Sequence, residues 1–160
     1  MSDSRRGEFV DSNVLIYAHD VSAGDKRLTA KTLLGRLWRQ RCGCLSVQVL
    51  QEFVVNVTRK VPKPISIREA QDLVTALGDW TVHSPTPANV IAALDRQSRH
   101  QISFWDAMIL ESAECLECGV VWSEDLNSGQ LYDGVEVRNP FAEDGPPMDL
   151  PESEQPSAGS

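Results

Sequence analysis

Short apolar segments alternate with amphipathic helical segments along this chain, and this alternation restricts the fold more than any other feature. Four segments are typical of buried strands, namely GEFVD, CGCLS, DWTVHS and GVVWSED, and VEVRNPF is a candidate fifth. Helical patterns separate the first four. Strand–helix–strand order in 160 residues favours a parallel sheet covered by helices on both faces. We therefore predict an α/β fold with three α/β/α layers and a central, mostly parallel sheet of four to five strands.

The helices are predicted from apolar residues at helical spacing and from capping signals. They cover residues 12–19, 26–40, 47–60, 66–78, 87–99 and 103–118. Ser46 is a predicted N-cap, and Ser66 and Glu69 form a capping box. Gly119 is expected to close the last helix. The strand in DWTVHS is expected at an edge of the sheet.

Residues 1–142 are predicted to form one domain, followed by a tail over residues 143–160. This tail contains five acids, four prolines and no basic residue, so it has little to bury and is predicted to be disordered. No apolar run approaches the ~20 residues that cross a bilayer. The polar start, MSDSRRGEF, also lacks the apolar segment of a secretion signal. We therefore expect a cytoplasmic protein with no membrane partner.

The net charge of −8 argues at first against a nucleic-acid partner, but the charges are unevenly distributed. The tail holds five of the acids, and residues 26–68 contain ten Lys or Arg with a single acid, Glu52. Such an excess suggests a face that could hold a polyanion. A solvated pair of basic helices explains the same residues without a ligand, and charge alone favours that second interpretation.

Four cysteines, Cys42, Cys44, Cys115 and Cys118, have the C-x-C and C-x-x-C spacing of a four-thiolate zinc site. Their surroundings favour another role. The first pair lies in an apolar strand segment and the second ends a helical pattern, where cysteine commonly serves as a small buried apolar side chain. We predict buried free cysteines.

Four acids occupy equivalent places relative to the predicted strands. Asp11 ends the first strand and Asp125 ends the fourth. Glu52 lies in the first turns of the helix after the second strand, and Asp106 lies in the first turn of the last helix. Because ligands gather at the carboxyl ends of parallel strands, the four carboxylates are predicted to meet in one cleft.

A divalent cation would make such a cluster stable, since packed carboxylates otherwise repel one another and take up protons. Hard oxygen ligands without histidine or thiolate suit Mg²⁺ or Mn²⁺. One or two of these ions can activate a water and neutralise charge on a phosphodiester. They would also reverse the local sign of charge, so that an anionic substrate could approach. The basic residues around Glu52 would then hold flanking phosphates.

Each acid also has a purely structural explanation. Asp11 could cap the first helix, and Asp106 could close a capping box with Ser103. Glu52 could be a solvated helix residue, and Asp125 could belong to a turn. For each residue alone the structural explanation is favoured, whereas the joint placement of all four favours a site.

The same acids fall in four segments that resemble the motifs of PIN-domain ribonucleases. FVDSNVLIYA resembles the first motif, LSVQVLQEF the second, ISFWDAMIL the third and VVWSEDLNSGQ the fourth. They occur in order, and the resemblance extends from residue 8 to about residue 141. The most similar variety is the VapC-type toxin of bacterial type II toxin–antitoxin pairs.

The resemblance implies a PIN-like fold and a Mg²⁺- or Mn²⁺-dependent endoribonuclease that cleaves RNA with a metal-activated water. The matching catalytic and metal-ligating positions are Asp11, Glu52, Asp106 and Asp125. The matching accessory positions, whose hydrogen bonds would orient the carboxylates, are Ser12, Asn13 and Ser123. Glu124 adjoins the fourth ligand, but the S-x-D pattern favours Asp125. The resemblance also implies a homodimer and inhibition by a cognate VapB-like antitoxin.

Two other functions stay open at this stage. A catalytically silent PIN-like module would bind RNA or protein through the basic face without turnover, although the presence of all four acids argues against it. An aspartate-nucleophile phosphatase would need a second acid two residues after the nucleophile, where this chain has Asn13. Trp105, directly before Asp106, could stack on a base, but we expect it to be buried. His19, His83 and His100 match no motif position and are given no catalytic role.

Overall fold

The computed structural model describes residues 6–142, and this part of the chain folds into a six-stranded sheet with six α-helices. The strands are β1 (Glu8–Val10), β2 (Gly43–Ser46), β3 (Thr81–His83), β4 (Val120–Trp122), β5 (Leu131–Tyr132) and β6 (Val135–Arg138). The helices are α1 (Ser12–His19), α2 (Asp25–Gln40), α3 (Val47–Val55), α4 (Ile67–Leu77), α5 (Pro87–His100) and α6 (Phe104–Cys115). A π-helical turn (Asn56–Lys60) continues α3 to the predicted end of that helix. The predicted α/β class is confirmed.

The sheet has the strand order β3-β2-β1-β4-β6-β5, with β3 at the predicted edge. All neighbours pair in parallel except β5 and β6, which are antiparallel. The chain moves outward from β1 to β3 and then crosses back to β4. Because parallel crossovers are right-handed, this reversal places α1 to α4 on one face and α5 and α6 on the other. Packing agrees, since α1 contacts α2, α5 contacts α6, and β2 contacts both α2 and α6.

The reversal also makes β1 and β4 the switch point of the sheet, where ligands of open parallel sheets commonly bind. Val10 and Trp122, the last residues of these two strands, are register partners. The ladder extends one step further, because the Asp11 amide donates to the Trp122 carbonyl at 3.0 Å. The segments that follow β1 and β4 therefore start side by side.

A continuous apolar core supports this edge of the sheet. α2 shows the pattern most clearly, because Ala30, Leu33, Leu34 and Leu37 form one buried stripe. The two inner residues of β1, Phe9 and Val10, are fully buried beneath the helices. Burying a side chain of this size stabilises the fold by about 1.5–3 kcal/mol. The strand that carries Asp11 is thus firmly held.

The sheet has one strand more than the four to five predicted. The additional strand, β5, joins β6 through a two-residue turn at Asp133 and Gly134, whose φ angles are 50° and 88°. Positive φ at both positions defines a type I′ hairpin turn, which Asp-Gly favours. A strand of two residues is too short to show a periodic pattern. The Asp-Gly pair was the one sequence signal for this hairpin, and the prediction missed it.

The last helix is shorter than predicted. α6 ends at Cys115, and the left-handed residue that follows is Glu117, with φ of 57°, instead of Gly119. Gly119 directly precedes β4, and its amide already donates to the Gly7 carbonyl, just before β1, at 3.2 Å. The chain must therefore turn earlier in order to enter β4. The caps at the other ends are confirmed, since Ser46 and Ser66 accept from the amides of Val49 and Glu69.

The cysteines follow the prediction at three positions and depart from it at one. Cys42, Cys44 and Cys118 are buried, whereas Cys115 is exposed. The expectation that Cys115 is buried is wrong because Cys115 is the last residue of α6, where its thiol donates to Glu111 and accepts from Asn89 but stays exposed.

None of the helices in residues 6–142 combines the length and apolarity that crossing a membrane requires. The predicted tail over residues 143–160 lies outside the described residues.

Candidate active site

Asp11 lies directly after β1 and uses its two carboxylate oxygens differently. Its Oδ1 accepts from the Ser12 amide at 2.7 Å, which makes Asp11 the N-cap of α1. Its Oδ2 accepts from Ser123 Oγ, beyond the end of β4, at 2.8 Å. The capping role suggested by the sequence is therefore real, but it occupies one oxygen and leaves the other directed at the switch point.

The carboxyl group of Asp11 is only 4% exposed, and its charge is correspondingly costly. Burial raises the pKa of Asp11 to about 7, against the hydrogen bonds from Ser123 and Ser12, which lower it. The negative charges of Glu52 and Asp125 raise this pKa further. Three of the four predicted ligands thus share one electrostatic environment.

Asn13 and Ser123 fasten the segment after β4 to α1. Asn13 Nδ2 donates to Asp125 Oδ2 at 3.1 Å, and Asn13 Oδ1 accepts from the Glu124 amide at 3.2 Å. Ser123 Oγ accepts from the Asp125 amide at 3.1 Å. These bonds set the position of Asp125, which is otherwise exposed.

Glu52 reaches the same group of residues from α3. Ser12 Oγ donates to Glu52 Oε2 at 2.6 Å, so the residue after Asp11 holds the predicted ligand of another helix. Gln48 Nε2 donates to Glu52 Oε1 at 2.9 Å. A continuous network therefore links Glu52 through α1 to the segment after β4.

Gln48 is a residue that sequence reasoning missed. It is 8% exposed, and beyond its bond to Glu52 its Nε2 also approaches the Trp105 carbonyl at 3.5 Å. Its Oε1 is buried without a hydrogen-bond partner. The signal available in the sequence was the spacing of four between Gln48 and Glu52, which puts both on one face of a helix.

Asp106 joins the site by charge and not through the hydrogen-bond network. Its amide donates to Ser103 Oγ at 3.0 Å at the start of α6, as the capping explanation requires. The carboxyl group is half-buried, and this burial raises the pKa of Asp106. The charges of Asp125 and Glu52 raise it further, so the same two carboxylates act on both Asp11 and Asp106.

The side chain of Glu124 contacts residues that do not belong to the group of predicted ligands. Lys26 Nζ lies 2.9 Å from Glu124 Oε1, and the Tyr17 hydroxyl donates to the same oxygen at 3.3 Å. This ion pair supports the choice of Asp125 as the predicted ligand. It also occupies a basic residue of α2 that sequence reasoning had left unassigned.

The basic residues of the 26–68 segment do not all face this site. α2 starts at the carboxyl edge of the sheet and ends at the opposite edge, so Arg39 and Arg41 lie far from the carboxylates. Arg36 pairs with Glu8 at 2.8 Å. The basic residues of this segment therefore do not form one continuous face, because the helix runs across the sheet and distributes its charges along its length. The exposed members of the segment are Lys31, Arg39, Arg41, Arg59, Lys60, Lys63 and Arg68.

The donor chemistry of the site fits a hard divalent cation. The predicted ligands are all carboxylates, and the pKa values of Asp11 and Asp106 are raised partly by the charges of Glu52 and Asp125, a repulsion that a cation would remove. In the present side-chain arrangement, however, no three His, Cys, Asp or Glu side chains within residues 6–142 form a group that could hold a metal ion. Glu52 is turned toward Ser12 and Gln48, and Asp125 toward Asn13.

Comparison with known proteins identifies a family and several similar folds. The family model of the PIN domain matches residues 9–132. A search of curated proteins finds no match. A toxin–antitoxin complex from Klebsiella pneumoniae is similar in structure, with a TM-score of 0.62 and 18% identity over 84% of this chain and 98% of that chain.

Two further solved structures share the fold. The sarcin-ricin loop cleaving toxin VapC20 of Mycobacterium tuberculosis has a TM-score of 0.59 and 20% identity, over 74% of this chain and 90% of that chain. DNA-bound VapBC from Salmonella typhimurium has a TM-score of 0.58 and 15% identity, over 84% of this chain and 98% of that chain. Because these structures are only 15% to 20% identical to this chain, their similarity shows a shared fold and nothing further.

Proposed function

This chain belongs to the PIN domain family, and on that basis we propose that it is a Mg²⁺- or Mn²⁺-dependent endoribonuclease, the toxin of a VapBC-type toxin–antitoxin pair. The observation that supports the proposal is the hydrogen-bond network at the switch point, which includes three of the four proposed ligands. Asp11, Glu52 and Asp125 belong to one hydrogen-bond network, and the charges of Glu52 and Asp125 act on Asp106.

In the proposed site, Asp11, Glu52, Asp106 and Asp125 hold the cation. A bound Mg²⁺ or Mn²⁺ supplies charge neutralisation at the phosphodiester and activation of a water. The chain's own contribution is orientation. Ser123 fixes the inner oxygen of Asp11, Ser12 and Gln48 hold Glu52, and Asn13 holds Asp125. We expect side-chain rotation, above all at Glu52, to accompany binding of the cation, because its oxygens now accept from Ser12 and Gln48.

The partners are proposed from the same family relationship. Two of the similar structures are toxin–antitoxin assemblies, and one is a toxin that cleaves the sarcin-ricin loop. We propose an RNA substrate, a small VapB-like antitoxin that blocks the site, and a homodimer as the active assembly. Such a substrate and partner imply action in the cytoplasm.

A second candidate function is a catalytically silent PIN-like module that binds RNA or protein. The observation that favours it is that no three acidic, histidine or cysteine side chains within residues 6–142 stand ready to hold a metal ion. This module would retain RNA without turnover in either cation.

Incubation of the purified protein with total RNA in Mg²⁺, Mn²⁺ or EDTA tests the proposal. We expect fragments with 5′-phosphate and 3′-hydroxyl ends in Mg²⁺ or Mn²⁺ and none in EDTA. Asp11→Asn should abolish cleavage while keeping the fold, because Asn can also cap a helix. Asp72→Asn, the same change on the exposed face of α4, is the matched control and should cleave normally. Cleavage by purified Asp11→Asn would disprove the proposal, and RNA binding without turnover by the unsubstituted chain would establish the silent module.

A further inference from the structure

Trp105 is the most exposed of the four tryptophans. It is 62% exposed, whereas Trp38, Trp80 and Trp122 are 41%, 9% and 2% exposed. The burial expected from the sequence is therefore wrong, because Trp105 lies on the outer side of the first turn of α6. A large aromatic surface left in water contributes little to folding. Tryptophan is enriched at interfaces, where its ring packs on a partner and its N–H can donate a hydrogen bond.

Its position is the rim of the carboxylate site. Trp105 directly precedes Asp106, and its carbonyl lies 3.5 Å from Gln48 Nε2, which holds Glu52. The backbone of Trp105 therefore lies next to Asp106 and contacts the residue that holds Glu52. No other tryptophan in residues 6–142 neighbours a proposed ligand in this way, apart from Trp122, which is buried beneath the site.

The indole is supported on one side by Phe104. The two rings meet edge to face, with centroids 5.2 Å apart and an angle of 67° between their planes. Phe104 is itself packed against the small cluster of Ala93, Ala107 and Met108. Phe104 therefore packs against one side of the indole, and the rest of the indole is exposed.

We propose that Trp105 is a platform on which an unpaired RNA base stacks beside the phosphate held at the carboxylates. The inference rests on the proposed function and assigns to Trp105 the positioning of a base next to the phosphate. Aromatic side chains stack on any base, because every base has a π-face. In a duplex the bases are stacked on one another, so their faces are not available to the indole.

The surroundings favour an RNA base over a protein partner. Gln101 and Ser103, the exposed residues just before Trp105, are polar, and Asp106 follows it. A protein interface would present a continuous apolar patch at its centre. The indole, supported by Phe104 and flanked by polar residues, lies next to a proposed cation site. This arrangement matches the alternation of base and phosphate along a single strand.

Binding of a short unstructured RNA, and of the same RNA annealed into a duplex, tests the platform. Fluorescence anisotropy would be measured in an Asp11→Asn background, so that no cleavage occurs. We expect Trp105→Ala and Trp105→Leu to weaken binding of the single strand about 5- to 150-fold, since stacking contributes that much per base. Trp105→Phe should restore most of the binding, and none of the three should change binding of the duplex.

Trp38→Ala is the matched control. Trp38 is 41% exposed at the opposite edge of the sheet, where it packs edge to face on Trp80, and its removal should leave RNA binding unchanged. Unaltered binding by Trp105→Ala, or equal binding by the Leu and Phe variants, would overturn the platform. A changed sedimentation coefficient with unaltered RNA binding would also overturn it and would assign Trp105 to a protein contact.

Cleavage assays separate this inference from the proposed function. If the unsubstituted chain cleaves RNA and Trp105→Ala cleaves it with the same KM, the proposed nuclease activity is supported and the proposed role of Trp105 is disproved. If the unsubstituted chain binds single-stranded RNA through Trp105 but does not cleave it, the proposed role of Trp105 is supported and the proposed nuclease activity is disproved.

Discussion

Asp11 shows how one residue can serve folding and a candidate site together. One of its oxygens caps α1, and the other is fixed by Ser123 across the switch point. Its position after β1 could be predicted from the sequence, since an Asp between a strand and a helix is a cap signal. The bond to Ser123 could not, because it joins residues 112 positions apart and depends on β1 lying beside β4.

Two substitutions of Asp11 should separate its stabilising role as the helix N-cap from the cost of its buried charge. We expect Asp11→Asn to be at least as stable as the unsubstituted protein in EDTA, because it removes a buried charge and can still cap. Asp11→Ala should be less stable than Asp11→Asn by about 1 kcal/mol, the usual value of an N-cap. Urea denaturation measures both, and equal stability of the two variants would contradict the capping role.

Gln48 offers a second test at the scale of single residues. Its amide holds Glu52, and its Oε1 is buried without a partner. Gln48→Leu should reduce cleavage or Mn²⁺ affinity about 10- to 100-fold, as loss of an orienting group commonly does. The free energy of unfolding should hardly fall, because the substitution also removes an unsatisfied oxygen.

Gln51→Leu is the matched control for this test, since Gln51 lies three residues further along α3 and is exposed. It should cleave RNA at the normal rate and require the normal concentration of Mn²⁺. If both substitutions leave cleavage unchanged, Gln48 has no part in orienting Glu52.

At the scale of elements, regular segments were predictable and short ones were not. α2 and α3 follow clear apolar stripes, and their predicted bounds agree with the structure to within one residue when the π-helical turn is included. β5 and the end of α6 differ from the prediction because tertiary contacts determine them. The turn at Asp133 is held by α5, and the end of α6 is set by where the chain must enter β4.

The hairpin of β5 and β6 is anchored to α5 by ion pairs. Asp133 in the turn contacts Arg96 at 2.9 Å and Arg99 at 3.0 Å, and Arg96 is itself buried against Glu111. The hydrogen bond from Arg99 lowers the pKa of Asp133 to about 2. Because this lies below the ordinary value of 3.8, the ion pair stabilises the fold above pH 3.8, and this stabilisation is lost as the pH falls toward about 2.

Asp133→Asn should therefore be less stable than the unsubstituted protein at neutral pH. In acid the two proteins should become similar in stability. Asn tolerates the positive φ of this position, so the turn itself should persist. The loss should be modest, since solvent screens the exposed Arg99. Thermal melts at pH 7 and near pH 2 test this, with Asp95→Asn as control because Asp95 pairs with Arg99 but not with the hairpin. A difference between Asp133→Asn and the unsubstituted protein that persists unchanged in acid would show that the ion pair is not its source.

At the scale of the whole molecule, the topology creates the site. Alternation of strands and helices predicted a parallel sheet, and a parallel sheet brings strand ends to one edge. The strand order is not contained in that pattern, yet it is the return of the chain from β3 to β4 that sets Asp11 beside Ser123. The placement of the acids at one edge could thus be predicted, whereas the network that joins them required the order of the strands.

Because the proposed ligands come from both helical layers, binding of a cation should stabilise the entire fold. Asp11 and Asp125 follow the two central strands, Glu52 lies on α3 and Asp106 on α6 of the opposite layer. A ligand that binds only the folded state adds about 2.7 kcal/mol at a hundred times its Kd. We expect Mn²⁺ to raise the melting temperature of the unsubstituted protein and of Asp72→Asn equally, and to raise that of Asp106→Asn much less. An equal rise in Asp106→Asn would show that the cation binds elsewhere, and no rise in any variant would favour the silent module, because a group of carboxylates that binds no cation cannot perform the proposed cleavage.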